Sequence, residues 1–216
     1  LRTPLATLAT QVGFALREPD PATVKLAMTA IKAQLDETVR QTNQMLALAR
    51  GESGAIELEV VDVCALAHDV TRKWWAEARG RGVDLGLEQP DAALTVQAHA
   101  GLLTEALSNL LHNALRYTPR GGHVTVAVAA RGAQVTIGVV DDGPGIPEGE
   151  IDRAGERFFR GSNVNQPGTG LGLAIVRSVV ERMDGTLQLR AAPQGRGLAA
   201  TLWLPRAMPM AGPLKP

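Results

Sequence analysis

The sequence predicts an α+β chain in two parts, a two-helix hairpin followed by a mixed α/β domain, and three observations carry that reading. In the first fifty residues apolar side chains recur at alternating spacings of four and three, the pattern of a bundle seam. After Arg50-Gly51-Glu52-Ser53-Gly54 the period changes to two. From there strand-like and helical segments come in mixed order, which suggests one sheet covered by helices on one face. A length of 216 residues can hold two small domains, and 45 % hydrophobic content is ample for a buried core.

Leu1, Leu5, Leu8, Val12 and Ala15 form the first helical stripe. Glu18-Pro19-Asp20-Pro21 breaks the helix, because proline lacks an N–H and its ring clashes with the preceding turn. A second series follows at Val24, Met28, Ile31, Leu35, Thr38, Thr42, Met45 and Ala49. Two amphipathic helices cannot cover each other's stripes, so pairing with a second copy is expected, giving a homodimeric four-helix bundle through residues 1–50. The helix starts at Leu1 without a capping residue, which points to a piece of something longer.

Residues 50–54 are expected to be the linker, and Ile56, Leu58 and Val60 alternate with acidic residues as a strand. Asp62 is suited to cap a helix running to about Arg79, with Trp74 and Trp75 read as packing residues near its end. Short strands are expected around Val83 to Leu87 and Leu94 to Val96, then a helix from about Gly101 to Tyr117. Runs at Val124 to Ala129 and Val135 to Val140, joined across Gly132, read as a hairpin. A helix near Leu171 to Met183 and strands at Thr186 to Arg190 and Leu198 to Leu204 complete a domain spanning residues 55–205. Residues 206–216 form a Pro-rich tail expected to be disordered.

Lys+Arg and Asp+Glu both total 22, so no global field draws the chain to nucleic acid or an anionic membrane. The lone Cys64 excludes an intrachain disulfide framework and a cysteine-rich metal site, and reads as a core residue in a reducing compartment. No apolar run approaches the roughly 20 residues needed to span a bilayer, so the chain as given reads as soluble.

Three segments carry chemistry. Asn109 and Asn113 are four apart on the Gly101–Tyr117 helix and share one face, with Glu105 a turn earlier. Asparagine carbonyls can hold Mg2+ beside a triphosphate without excess negative charge, since Mg2+ takes most of its oxygens from phosphate and water. Leu107, Leu110, Leu111 and Ala114 make the rest of the helix apolar, so the amide face looks into a cleft or out to water. Asp141 closes a valine-rich strand and opens Asp141-Asp142-Gly143-Pro144-Gly145. Its carboxylate can accept a hydrogen bond from an exocyclic amine such as adenine N6, while Gly143 and Gly145 let backbone approach the base. As a turn alone the same motif can be structural.

Gly168-Thr169-Gly170-Leu171-Gly172 runs into an apolar-periodic helix, whose free N–H groups and dipole suit phosphates. It is not a dinucleotide fingerprint, since Arg160 to Pro167 is polar and turn-like where a strand should stand, and no Gly-Lys-Ser/Thr marks a Walker loop. The segment between the glycine runs, roughly twenty residues, reads as a lid, because loops that long are usually functional or disordered. Within it Phe159 offers an aromatic anchor, and Arg160 a cation for the terminal phosphate.

These residues resemble the sensor histidine kinases of bacterial two-component systems over essentially the whole chain. Asn109-x-x-x-Asn113 with Arg116-Tyr117-Thr118-Pro119 looks like the N box, Asp141-x-Gly143-x-Gly145 the first glycine box, Phe158-Phe159-Arg160 the F box, and Gly168-x-Gly170-x-Gly172 the second glycine box. Leu1-Arg2-Thr3-Pro4-Leu5 is similar to the latter part of the H box. The resemblance implies a dimerisation and phosphotransfer hairpin at residues 1–52 and an ATP-binding α/β sandwich of the Bergerat type at 55–205. It implies that Asn113 and Asn109 hold Mg2+, and that Asp141 and Gly145 read adenine. Tyr117 would pack beside base or ribose, Arg116 would approach phosphate, and Gly168, Thr169, Gly170, Leu171 and Gly172 would cradle phosphates with Arg160 assisting transfer.

The same resemblance implies a phosphorylated histidine two positions before Leu1, outside this chain, and none of His68, His99, His112 or His123 replaces it. Thr3 matches the position that orients water for dephosphorylation of a response regulator receiver domain. The whole would be the cytoplasmic portion of an inner-membrane sensor, membrane-bound only through segments upstream. The chain departs from the family at Gly155, where an aromatic residue often precedes Glu-x-Phe and anchors the lid. A gyrase-like ATPase and a non-enzymatic nucleotide-binding regulator share the pocket. Hydrolysis needs a carboxylate base one turn before the magnesium asparagine, and Asn109 is an amide there.

Overall fold

The computed structural model describes residues 2–51, 56–162, 170–193 and 195–207. The chain divides into two compact units, Leu1–Ser53 and Gly54–Pro216. In the first, α1 (Arg2–Ala15) and α2 (Pro21–Gly51) pack as a hairpin. Pro21 is the first residue of α2, where its missing N–H would have had no helical partner. Asp20 caps that helix: its Oδ2 accepts from the Thr23 N–H at 3.0 Å and the Thr23 hydroxyl at 2.6 Å, and its Oδ1 accepts from the Ala22 N–H at 3.3 Å. Those bonds, the Thr23 hydroxyl foremost, hold the Asp20 carboxyl below the usual carboxylate range. Arg50 and Gly51 belong to α2 and not to the expected linker; one glycine costs a long helix about 1 kcal/mol, too little to stop it. Val12, Phe14, Leu16, Leu26, Met28 and Leu35 are exposed on this hairpin.

The second unit opens with β1 (Glu59–Asp62) and α3 (Val63–Arg81). Asp62 caps α3 as expected, its Oδ1 accepting from the N–H groups of Cys64 at 2.9 Å and Ala65 at 3.3 Å. Then follow β2 (Asp84–Glu88), β3 (Thr95–Ala98), α4 (Ala100–Tyr117), β4 (His123–Arg131) and β5 (Gln134–Asp141). After one 3-10 turn at Glu148–Glu150 come α5 (Gly172–Glu181), β6 (Thr186–Ala191) and β7 (Leu198–Pro205). Gly132, with φ 62°, takes the first position of the two-residue β4–β5 loop, the place where a left-handed residue matches the strand twist.

There are two sheets where one was expected. β1 pairs antiparallel with β3, apart from a five-stranded sheet of order β2-β4-β5-β7-β6 in which only β2–β4 is parallel. The facing of β1 also differs from the alternation in the sequence. Val60 and Leu58 are exposed, whereas Val61 and Val63 are buried. The register Val61↔Val96, fixed by the Val63 N–H bonding the Leu94 carbonyl at 2.9 Å, sets that choice, since a one-residue slip exchanges the two faces of a strand. Trp74 packs near His112, ring centroids 6.0 Å apart, but Trp75 is 66 % exposed and is not a packing residue.

One face of the large sheet carries the core. Val126 and Val128 of β4 stand opposite Val139 and Ile137 of β5, Val124 stands opposite Asp141, and Val139, Ile137 and Val135 stand opposite Ala200, Leu202 and Leu204 of β7. α3, α4 and α5 pack on the sheet, with Leu103, Leu107, Leu111 and Leu115 of α4 and Ile175 and Val176 of α5 fully buried. Asp141, two residues after Val139 on β5, shares this buried face. Among the described residues no helix is long and apolar enough to cross a membrane. The expected tail beyond Ala207 lies outside the described residues.

Two substitutions test this packing. Asp62→Ala should lower stability by about 1 kcal/mol through the lost cap, a fall of roughly 2–4 °C in the thermal midpoint. Leu107→Ala should cost about 2–5 kcal/mol through transfer and cavity terms. Thermal and urea unfolding followed by circular dichroism measures both, and equal midpoints for wild type and Leu107→Ala would contradict the core described.

Candidate functional site

α4 turns two kinds of face to its surroundings. Leu103, Leu107, Leu110, Leu111 and Leu115 are buried; Asn109 is buried too, at 7 % exposure, and Asn113 and Glu105 are half-buried. The amide face therefore does not look into open water. Asn113 lies against the start of α5: a Cβ on Gly172 would stand 3.1 Å from the Asn113 Nδ2. The Asn113 amide makes no hydrogen bond among the described residues. α4 stops at Thr118, whose extended backbone suits the residue before Pro119. There Arg116 lies 5.9 Å from the centroid of the Tyr117 ring.

The Tyr117 carbonyl then meets the first glycine run. A Cβ on Gly143 would stand 3.1 Å from that oxygen and 2.9 Å from Oδ1 of Asp141, so only glycine fits. Asp141 is 8 % exposed, and its Oδ1 accepts both the Gly143 N–H at 2.9 Å and the Leu198 N–H at 3.3 Å. Its Oδ2 makes no hydrogen bond among the described residues. Burial pushes the Asp141 carboxyl above the usual carboxylate range, against the pull of the two N–H groups. Its neighbour moves the other way. Burial raises Asp142 too, but the N–H and ring of His123, at 2.9 and 3.1 Å from Oδ2, outweigh it and hold Asp142 low.

Two residues outside the sequence-derived set complete this corner. Gly197 has φ 100°, and a Cβ there would collide with the Asp141 carbonyl; Gly145, with φ 68°, would place a Cβ 2.7 Å from the Gly197 carbonyl. The two glycines thus let the 141–145 loop and the turn before β7 touch backbone to backbone. The second is Leu198, through its N–H. The only local signal for either was Gly195-Arg196-Gly197 just before a strand, the mark of a turn.

The second glycine run is described from Gly170 onward, and Gly168 and Thr169 lie outside the described residues. Gly170, with φ 67°, packs under the backbone of Phe158 and Phe159, and its carbonyl accepts the Phe158 N–H at 3.0 Å. Leu171 is buried and gives α5 no side-chain cap, so the first turn of that helix is not closed by its own N-cap residue. Phe159 is half-buried with the Arg153 guanidinium 4.7 Å over its ring, and Arg160 is exposed. Among the described residues the structure therefore brings together the N-box, first glycine-box and F-box residues and Gly170 to Gly172. Thr3 lies in α1 of the other unit. Of the histidines, His68 and His123 are exposed, His112 is buried, and the His99 ring accepts the Leu102 N–H at 3.4 Å.

Residues 98–208, more than half the chain, match the family described as histidine kinase-, DNA gyrase B- and HSP90-like ATPase. The chain belongs to this ATPase family. ATP binding goes with membership. The sensor protein kinase PmrB of Pseudomonas aeruginosa is 33 % identical over 212 residues, covering 97 % of this chain and 44 % of that protein. A solved mycobacterial sensor histidine kinase, MprB, superposes with a TM-score of 0.61 at 32 % identity, covering 68 % of this chain and 98 % of that one. The histidine kinase ThkA in complex with the response regulator TrrA shares the fold, with a TM-score of 0.73 at 20 % identity over 95 % of this chain and 58 % of that one. The chain spans about two fifths of the length of the curated relatives it matches.

For this ATPase fold the Asp141 corner makes two checkable demands. Gly197→Ala should lower the thermal midpoint and disrupt the Asp141 loop, because the added methyl meets backbone and the φ is left-handed. An unchanged midpoint would remove Gly197 from the corner. Asp141→Asn keeps an oxygen for both N–H groups and removes the buried charge. A raised carboxyl contributes stability fully present below its unfolded value near 3.9 and lost as pH rises through its folded value. Urea midpoints of Asp141→Asn and wild type should therefore lie close at pH 4, with the variant the more stable at pH 7.

Proposed function

We propose that this chain is the kinase core of a bacterial two-component sensor. It binds Mg-ATP in the second unit and passes the terminal phosphate to a histidine upstream of Leu1, and then to an aspartate of a response regulator receiver domain. The observation that carries the reading is the geometry of Asp141. One oxygen is held by two backbone N–H groups, and the other is left as an acceptor at a glycine-lined loop, suited to the exocyclic amine of adenine.

Asn113 fits the cation. Its amide is half-buried, without a hydrogen bond among the described residues, and beside the start of α5. Mg2+ would be taken mostly by phosphate and water, with Asn113 and Asn109 adding oxygens. Bound there, Mg2+ supplies charge neutralisation on the phosphates. The start of α5, from Gly170 through Leu171 to Gly172, offers the positive end of its helix dipole to phosphate. Tyr117 flanks the base, Arg116 and Arg160 carry charge for the phosphates, and Phe159 seats Arg160. Asn109 stands where a hydrolytic base would be needed and cannot take a proton, which favours transfer over hydrolysis.

Exposed apolar residues among those described on the hairpin, Phe14, Leu16, Leu26 and Met28 with them, support pairing with a second copy into a four-helix bundle. In α1, Thr3 would orient water for dephosphorylation of the response regulator receiver domain, and the whole would be the cytoplasmic part of an inner-membrane sensor.

Calorimetric titration of the chain with ATP tests the site. Asp141→Asn should weaken ATP by roughly 10- to 100-fold, the loss of a hydrogen bond to a charged group. Asn113→Ala should remove the Mg2+ dependence of binding. ATP binding equal to wild type in Asp141→Asn would sink the reading. For the reaction, the full-length protein should acquire acid-labile phosphate from ATP; ATP turnover without it would mark a hydrolase.

A further inference from the structure

Gly155 is buried, and the space where its side chain would stand is taken. A Cβ built there would run into the Arg177 guanidinium, with Nε 2.6 Å away and Cζ and Nη2 nearer still. Arg177 belongs to α5, is half-buried, and makes no hydrogen bond or ion pair among the described residues. A guanidinium is planar and weakly hydrated, so it can lie flat on bare peptide. Only glycine leaves that peptide bare.

The segment beyond Gly155 makes local bonds of one turn, the Glu156 N–H to the Arg153 carbonyl at 2.8 Å and the Phe159 N–H to the Glu156 carbonyl at 3.4 Å. It also contains a constrained residue. Phe158 has φ 64°, a conformation that a β-carbon disfavours and that persists only where the surroundings enforce it. Gly170 enforces it from one side, through its fit beneath Phe158 and its bond to the Phe158 N–H. Arg177 supports the other side, three residues earlier. Both supports belong to α5 or its immediate lead-in, as does Gly172 beside Asn113. One short helix thus touches the cation face and both ends of the Gly155–Phe159 stretch.

We propose that Arg177 is a positioning residue. Its guanidinium, filling the place of a side chain at Gly155, seats the Glu156–Arg160 stretch on α5 and so fixes where Phe159 and Arg160 stand relative to Asn113. The consequence for nucleotide rests on the proposed ATP site; the seating itself does not.

The test uses the chain without nucleotide first. Trypsin cuts after Arg157 and Arg160, and cleavage tracks the population of the opened segment when opening is fast. Arg177→Ala should raise cleavage at these two bonds by about threefold or more, with the thermal midpoint unchanged. Gly155→Ala should do the same, because its methyl displaces the guanidinium, and the double variant should be cut no faster than either single one. Arg177→Lys should not restore the wild-type rate, since a point charge cannot cover the peptide. In the same variants ATP affinity should fall together, as fold-changes that do not multiply. Wild-type cleavage in Arg177→Ala, multiplied effects in the double variant, or faster cleavage with unaltered ATP affinity would each overturn the proposal. Absence of ATP binding by the wild-type chain would overturn the proposed function, while the cleavage rates still decide whether Arg177 seats the segment.

Discussion

Burying the Asp141 carboxylate at the end of β5 constrains the structure around it. A charge removed from water is costly unless hydrogen-bonded, and here one oxygen takes two backbone donors from different places in the sequence. The Gly143 N–H comes from the loop that follows. The Leu198 N–H requires β7 to pair with β5 in the register that sets Val140 against Ala199. Gly197 must then pass against the Asp141 carbonyl, which no side chain allows. Sheet register and site geometry are therefore the same fact. A slip of one residue would turn the core valines outward and remove a donor from Asp141 together.

The helices follow from this sheet. α4 lays a leucine stripe on the core, which carries its amides along the opposite side, toward the start of α5. α5 has only ten residues, too short to persist on propensity alone, and it is held by Ile175, Val176, Val179 and Val180 against the core. That anchoring allows its first turn to go without a side-chain cap. The hairpin obeys a different economy: its exposed Phe14, Leu16, Leu26 and Met28 find no cover within their own unit.

What could be read from the sequence were features written in consecutive residues. The helices α1 and α2, the Asp62 cap, the Gly132 hairpin and the amide face of α4 all depend on spacing along one segment. What escaped were contacts between distant segments. Nothing near Val60 announces that Thr95 to Ala98 will take β1 out of the main sheet and reverse its facing. Nothing near Asp141 announces a donor 57 residues later. Gly155 is the clearest case. Beside the family pattern it read as a missing anchor, because the group filling its place, Arg177, lies on another element and carries a charge where an apolar ring was expected.

The adjacent carboxylates Asp141 and Asp142 show how one loop separates a structural charge from a chemical one. On a strand consecutive side chains point to opposite faces, so the pair is divided by geometry before any chemistry acts. Asp142 turns toward β4, where His123 supplies a backbone donor and a ring nitrogen to the same oxygen and keeps it ionised. That pairing ties the loop to the start of β4. Asp141 turns toward the helices, where desolvation dominates and its anion is disfavoured. A buried carboxylate with one oxygen anchored and the other open gains most from a donor that arrives from outside, since that donor relieves a cost the fold already carries. With one oxygen of Asp142 held by His123, the open oxygen of Asp141 stands in a position set by β5 and β7.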